Sequence, residues 1–466
     1  MTTKLVLSIP YIRVSRALLS APLLGLHKLK HDLEIVVVSP FSDNDAFRSQ
    51  HGCEDVSFVK YEAPTVVDRP YRYLYSLAEQ LRMLGYYYEL RNSGMKYYWQ
   101  TLGIVYGPNG DDRKLTSIQL LAKRLIGFFG SSTGLWRSID KLIGSRVYEN
   151  DIIDELFDGD DEVILIQASS WGFQDKMLAW YSSQKKCKSA LVPYTTDQLW
   201  VNGYLLNNYD LVCVQGPFED LCARKYHQVP DKKILRLGST WFRNVDEILD
   251  RIPQASDLLA RRKVVYAGVA IDYFPRQSEF EAVDFIADCL LKQFNGDVDL
   301  IYRPFATSHE EQSEIVSHYE GHSGVILQWP EQACAGLEEY SGSSIEMELA
   351  SYLTTLAQAD VLIMSHTTSL GWDAAYLDCG VIANFFDGTG TLDQRMAELR
   401  FLADGKLDCA PGMEIARSLE ELASQLTRML VDDLYRSDSA ANIVKDWDYS
   451  TSSDDMTKQI FEHLLC

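Results

Sequence analysis

The feature that most constrains this chain is a twice-repeated alternation of short apolar runs with stretches of helical character. In the first series the runs are "KLVLSIP", "EIVVVSP", "DEVILIQAS", "SALVPYT" and "YDLVCVQG", separated by stretches such as "RALLSAPLLGLHKLKH" and residues 175–183. A short continuous apolar run bounded by turn residues is how a strand covered on both faces reads, and strands of that kind alternating with helices build a parallel, doubly wound sheet. A second series repeats the pattern with "RKVVYAGVA", "VDLIYRPF", "GVILQW", "DVLIMSH" and "GVIANFF", spaced by segments including "SEFEAVDFIADCLLKQF". Ser278 with Glu281 three residues on reads as a capping box for that last helix.

At 466 residues the chain exceeds what one core ordinarily holds. The expectation is an α/β protein of two Rossmann-like domains facing each other across a cleft. The first spans 1–247 with a helical insertion at 66–150, and the second spans 248–435. Residues 436–466 form a helical segment packing back toward the first domain. "NVDEILDRIPQASDLLARRK" reads as the linker, with Pro253 as its breaker.

Charge and motif content exclude several classes of function. A formal charge of -22 leaves no dominant basic face to neutralise phosphates, which argues against nucleic acid as a partner. Nine cysteines form no CxxC pair and are odd in number, so reduced, buried thiols in a cytoplasmic protein are expected. "MTTKLVLSIPYIRVSRALL" holds an apolar run too short for a signal segment or a span. Asp-x-Asp pairs at 43/45, 158/160, 297/299 and 446/448 are what so acidic a chain produces by chance. There is no HExxH, GxSxG, Walker A or GxGxxG sequence, so neither a metal nor a bound cofactor is expected.

Within the insertion the charge reverses: residues 113–146 carry seven basic side chains against one acid, Asp140. Such a segment either meets an anionic membrane at its inner face or a lipid-linked acceptor, or is a helical pair with its cationic face solvated. A charge run ordinarily does the latter.

In open α/β sheets ligands bind beyond the carboxyl ends of strands, which singles out four places. After "VLIM" the chain offers Ser365, His366, Thr367, Thr368 and Ser369 and then turns helical at Leu370. Hydroxyls and backbone N–H groups at a helix start suit a diphosphate, although the same residues serve as an ordinary N-cap. Asp373, one turn past Ser369, is placed to accept from sugar or ribose hydroxyls. Gly268 follows a strand and permits close backbone approach, and Arg303 ends a strand where a guanidinium can clamp phosphate oxygens. In the first half, Asp197 follows a strand and two threonines, where a carboxylate can take a proton from an acceptor hydroxyl or simply cap a helix.

Several segments resemble the GT-B glycosyltransferases that build bacterial surface polysaccharides. In the first half the resemblance lies in Asp197-Gln198-Leu199, Gly203, the strand Val212 to Gly216, and the run from Pro230 to Gly238. In the second half, "VVYAGV", "LIYRPF" and "SHTTSLGWDAAYLDCGVIANFF" are similar to the family's donor loop, its Arg-Pro-His-Pro element and its small-polar, helix, acid-Ala element. Phe305 stands where the family usually has histidine, Asp373-Ala374 replaces Glu-Ala, and "SIPYIRVSRALL" replaces the N-terminal glycine-rich loop. The resemblance implies an acceptor domain followed by a donor domain. In the donor domain Gly268, Arg303, His366, Thr367, Thr368, Ser369, Leu370 and Asp373 would bind the nucleotide-sugar.

The expected activity is metal-independent transfer of a sugar from a nucleotide-sugar to a hydroxyl of a surface polysaccharide or lipid-linked glycan, with Asp197 as base. The same fold serves polyol-phosphate transferases of the teichoic-acid type and nucleotide-sugar 2-epimerases, although the Asp-Ser-Gly-Gly usual in the latter is absent. A catalytically inactive scaffold is the alternative from outside the enzymes.

Overall fold

A computed structural model describes residues 3–11, 14, 18–19, 33–52, 56–61, 69–92, 121, 125, 127–158, 162–170, 172–195, 198–201, 204–205, 209–239, 245, 261–269, 276–306, 308–329, 345–365, 368–386, 412–447 and 453–465. The chain divides into two compact units, Met1–Arg243 with Asp448–Cys466, and Asn244–Trp447.

The first unit is built on a wholly parallel sheet of β1 (Thr3–Ser8), β2 (Leu33–Ser39), β3 (Val56–Lys60), β4 (Glu162–Gln167), β5 (Lys188–Leu191), β6 (Leu211–Val214) and β7 (Ile234–Arg236). Their order is β3-β2-β1-β4-β5-β6-β7, and Val6 of β1 lies opposite Val36 on one side and Leu165 on the other. Consecutive residues Leu5, Val6 and Leu7 are all buried, so both faces of the sheet are covered, as the uninterrupted apolar runs require. The edge strands are weaker: β3 is only partly buried and ends on Lys60, and β7 ends on the exposed Arg236, features that discourage pairing with another chain.

Between β3 and β4 lie α1 (Arg69–Asn92) and α2 (Thr133–Val147), which pack against each other. Ala78 of α1 and Ile143 and Val147 of α2 join Val6, Val38 and Leu165 in one core cluster. The tyrosines of this region pack by their rings. Tyr75 meets Tyr148 edge-on at 6.2 Å, and Tyr86 stacks on His227 at 5.3 Å while its hydroxyl donates to the Leu199 carbonyl at 2.9 Å. Gly85 of α1 touches the backbone of Gly130 so closely that a Cβ would lie 2.1 Å from it, so only glycine fits there. Helix α3 (Phe173–Lys185) follows β4 and closes on Lys186 in the left-handed region, φ 58°. Residues 93–120, which include Arg113 and Lys114 of the basic segment, and most of "RALLSAPLLGLHKLKH" lie outside the described residues.

The second unit repeats the plan with β8 (Arg262–Ala267), β9 (Val298–Arg303), β10 (Ile326–Leu327), β11 (Val361–Met364), β12 (Gly380–Asn384) and β13 (Glu414–Ala416), all parallel in the order β10-β9-β8-β11-β12-β13. Its core joins Val264, Leu300, Ile363 and Ile382 from the strands to Phe280, Val283 and Ile286 of α4 (Arg276–Phe294) and to Leu426 and Met429 of the helix Leu419–Val431. The capping box expected at Ser278 and Glu281 does not form. The helix already runs from Arg276, and Ser278 is buried inside its first turn, because Arg276 anchors that turn by donating to Glu279 and to the Phe305 carbonyl.

Helices α5 (Ile345–Ala357) and α6 (Leu370–Tyr376) flank β11, and α7 (Asp433–Val444) packs on α6 and β12. The last helix, α8 (Ser453–Leu465), belongs to the first unit and lies on β5 and β6 through Met456, Ile460, Phe461 and Leu464. Residues after 435 are therefore shared by the two units. Among the described residues, no helix is long and apolar enough to cross a membrane.

Candidate functional site

In the second sheet the strand order reverses between β8 and β11, the position at which open α/β sheets bind ligands at their carboxyl ends. Gly268 follows β8 and its amide donates to the Arg303 carbonyl of β9 at 3.0 Å, while the Ser365 amide, following β11, donates to the Ala267 carbonyl at 3.2 Å. These bonds extend the parallel ladder by one step and bring Gly268, Arg303 and Ser365 to a single edge.

Beneath that edge lies Glu279 of α4, fully buried. Its carboxylate accepts from Arg276 Nη1 at 2.5 Å, from the Val269 amide at 3.2 Å, from Ser365 Oγ at 3.2 Å and from the Tyr302 hydroxyl. Burial raises the Glu279 pKa, and the Arg276 charge and the three other donors pull against that rise. Ser365 Oγ shares a further hydrogen bond with Tyr266 Oη at 2.9 Å, and Asn384 Nδ2 donates to the same tyrosine oxygen at 3.1 Å, so four strands meet in one polar network. A Cβ on Gly268 would stand 2.5 Å from Glu279 Oε1. The turn at 268–269 is thus held flat on a carboxylate that is itself closed to solvent, with both of its amides bonded within the protein and no Cβ at 268 between the backbone and the space beyond the strand.

Beside the turn, the Arg303 guanidinium lies 5.9 Å from the Tyr352 ring centroid, and the Tyr352 hydroxyl donates to Asp373 Oδ2 at 2.8 Å. Asp373 is buried on α6, so it orients Tyr352, and through it Arg303. Ser369 occupies the N-cap position of α6 but makes no side-chain capping bond, and exposed Thr368 turns its hydroxyl to Met364 Sδ at 3.7 Å. Leu370 is the half-exposed first residue of α6. His366 and Thr367 lie outside the described residues, as does Asp197 in the first unit.

The first sheet has its own reversal, between β1 and β4, and a second buried carboxyl group sits there. Asp175 of α3 accepts from Ser8 Oγ at 2.7 Å, and Gln174 Nε2 donates to the same Ser8 oxygen at 3.1 Å and to the Val38 carbonyl at 2.8 Å. Gln167 Nε2 donates to the Asp175 carbonyl at 2.8 Å while Tyr209 Oη donates to Gln167 Oε1 at 3.0 Å. Burial pushes the Asp175 pKa up to about 7, against Ser169, Ser8, the Gly172 amide and the Lys176 charge, all of which lower it. Tyr11 closes the far side: a Cβ on Gly172 would lie 2.9 Å from its hydroxyl and 3.2 Å from Asp175 Oδ2.

Sequence reasoning missed Glu279, Arg276 and Asp175. The available signals were an arginine and a glutamate at i, i+3 in the first turn after a strand, and three consecutive polar residues, Gln174 to Lys176, in a helix flanked by apolar strands. Among the described residues no group of three or more His, Cys, Asp or Glu side chains is placed to hold a metal ion.

Comparison of the whole chain with solved structures gives matches along its full length. A Listeria monocytogenes protein described as a UDP-N-acetylglucosamine 2-epimerase matches with a TM-score of 0.53 over 99% of this chain and 95% of its own, at 11% identity. The UDP-GlcNAc 2-epimerase of Neisseria meningitidis bound to UDP-GlcNAc matches at 0.52 over 100% of both chains, at 10% identity. The fold is of the GT-B type. The UDP-GlcNAc 2-epimerase of Methanocaldococcus jannaschii shares the GT-B fold with this chain at a TM-score of 0.50 over 100% of this chain and 99% of its own, again at 10% identity. At such identities what is shared is the fold. No protein-family model and no curated protein sequence matches the chain.

Proposed function

We propose that this GT-B chain is a nucleotide-sugar enzyme that transfers the sugar to a hydroxyl of a surface polysaccharide or lipid-linked glycan, without an essential metal. The observation that carries the reading is the turn at Gly268, pinned by buried Glu279 at the reversal point of the second sheet. There the Gly268 and Val269 amides, bonded to the Arg303 carbonyl and to Glu279, fix the turn, and the Arg303 guanidinium offers a positive group to a diphosphate; a preorganised charge of that kind stabilises a departing nucleotide. Asp197 takes the acceptor proton in this reading. A 2-epimerase is the second reading, because enzymes of that description share the fold; the absence of Asp-Ser-Gly-Gly at 366–369 counts against it.

The test is a melting series with UDP, GDP, CMP, CDP and dTDP. One nucleotide is expected to raise the melting temperature by on the order of 5 °C at saturation, and no response from any of them would leave the scaffold reading in place. With that nucleotide's sugars, transfer to a glycan acceptor and epimerisation of the sugar are then followed by NMR. Chelation by EDTA should leave turnover unchanged, and Asp197→Asn should lower it by about 100-fold or more while the nucleotide-induced shift persists. Unimpaired turnover by that variant would remove Asp197 from the mechanism.

A further inference from the structure

Large apolar side chains cluster in the open on the two helical segments around Gly130. Leu121, Leu125, Phe128 and Phe129 are 58%, 53%, 56% and 59% exposed and each is in helical conformation, and a spacing of i, i+4, i+7 and i+8 is that of one helix face. On α2, Leu135 and Leu142 are exposed by 40% and 73% and stand seven residues apart, again on one face. Isolated exposed leucines are ordinary, but two consecutive helical segments each turning an apolar stripe to solvent are not.

These stripes are not loose loops. The first segment is seated on α1 through Gly130, where an added Cβ would lie 2.3 Å from the Leu81 carbonyl oxygen. On α2 an adjoining face, about 100° round the helix, is buried through Trp136, Ile143 and Val147. The apolar groups are therefore held outward by a packed base.

Charge identifies what they meet. The chain carries a net charge of -22, yet residues 113–146 hold seven basic side chains and one acid. That acid, Asp140, is turned away from the stripe and accepts from the Tyr148 hydroxyl at 3.1 Å. Lys141 and Arg146 are exposed, and Arg146 falls on the same stripe as Leu135 and Leu142. Apolar groups at the centre with cations beside them, on an otherwise anionic protein, complement the acyl and phosphate layers of an anionic leaflet; a second copy of so acidic a chain is repelled.

We propose that Leu121, Leu125, Phe128, Phe129, Leu135 and Leu142, with Lys141 and Arg146, form a surface that docks this chain reversibly on an anionic lipid bilayer. The phenylalanines enter the acyl boundary and the cations pair with lipid phosphates. The inference does not depend on which reaction the chain performs.

Co-sedimentation with vesicles of phosphatidylcholine containing about one-third phosphatidylglycerol tests it. The native chain is expected to pellet with these vesicles, to remain in solution with pure phosphatidylcholine, and to be released as salt rises. The double variants F128D/F129D and K141E/R146E should each reduce partitioning by about tenfold or more, with melting temperatures equal to the parent's. Failure of the native chain to pellet with anionic vesicles would overturn the proposal, and so would undiminished binding by both variants. A native dimer that F128D/F129D converts to monomer would assign the face to a second copy and overturn it equally.

Discussion

Asp175 and Gly268 show how one residue can hold the carboxyl edge of a sheet in place. Asp175 titrates near its ordinary 3.8 in the unfolded chain and near 7 when folded, because burial disfavours its charge more than its neighbours favour it. Its folded pKa is raised, so its contribution to stability is fully present below the ordinary carboxylate range and is lost as pH rises toward about 7. The slope is about 1.4 kcal/mol per pH unit. Glu279 is shifted in the same direction, so the decisive measurement is differential. Asp175→Asn should flatten the dependence of the urea midpoint on pH between about 5 and about 7, and a slope unchanged by the substitution would mean that the group ionises freely in the folded protein. At Gly268 a methyl group meets a carboxylate that four donors hold still. Gly268→Ala is expected to cost about 1–3 kcal/mol and to abolish the nucleotide-induced rise in melting temperature. A variant that melts and binds as the parent does would show that the turn has room to move.

At the scale of elements, α1 is attached to α3 by charge. Glu79 accepts from Arg82 Nη2 at 2.8 Å and from Lys176 Nζ at 2.5 Å, and Arg82 Nη1 donates to the Tyr204 carbonyl at 2.9 Å. Arg82 and Lys176 are both buried, and opposite charges hold the Glu79 pKa below its usual value even though burial acts to raise it. Glu79→Ala leaves two buried cations without their common partner and should destabilise the protein by about 3 kcal/mol in chemical unfolding; a loss under about 1 kcal/mol would show that water reaches the pair. The central strands were legible as apolar runs because burial on both faces leaves no room for polar residues. Strands β3 and β13 were not singled out, since an edge strand is half solvated and "VSFVK" or "EIA" reads like any surface segment. The start of α4 was misplaced for another reason: Arg276 is fixed by the Phe305 carbonyl, a contact that no local spacing reveals.

For the whole molecule, the α/β class followed from the doubled alternation, and strand ends pointed to Gly268, Arg303 and Ser365 because sheet topology brings such ends together. The network beneath them was hidden, since Glu279 meets Ser365 across 86 residues and Asn384 meets Tyr266 across 118. The face of Phe128 and Phe129 was legible in part: the charge reversal over 113–146 marks "RLIGFFGSSTGLW" as a candidate amphipathic surface, while the packing of Gly130 on α1 and the exposure of the two rings are visible only in the fold. Helix α8 carries one more implication. The strands it covers, β5 and β6, leave the ribosome some 240 residues before it does, and every strand of the second unit is made in the interval. The unit begun first is thus completed only after the second, and a nonsense codon between β13 and α8 would strip the cover from β5 and β6 while leaving the later sheet whole.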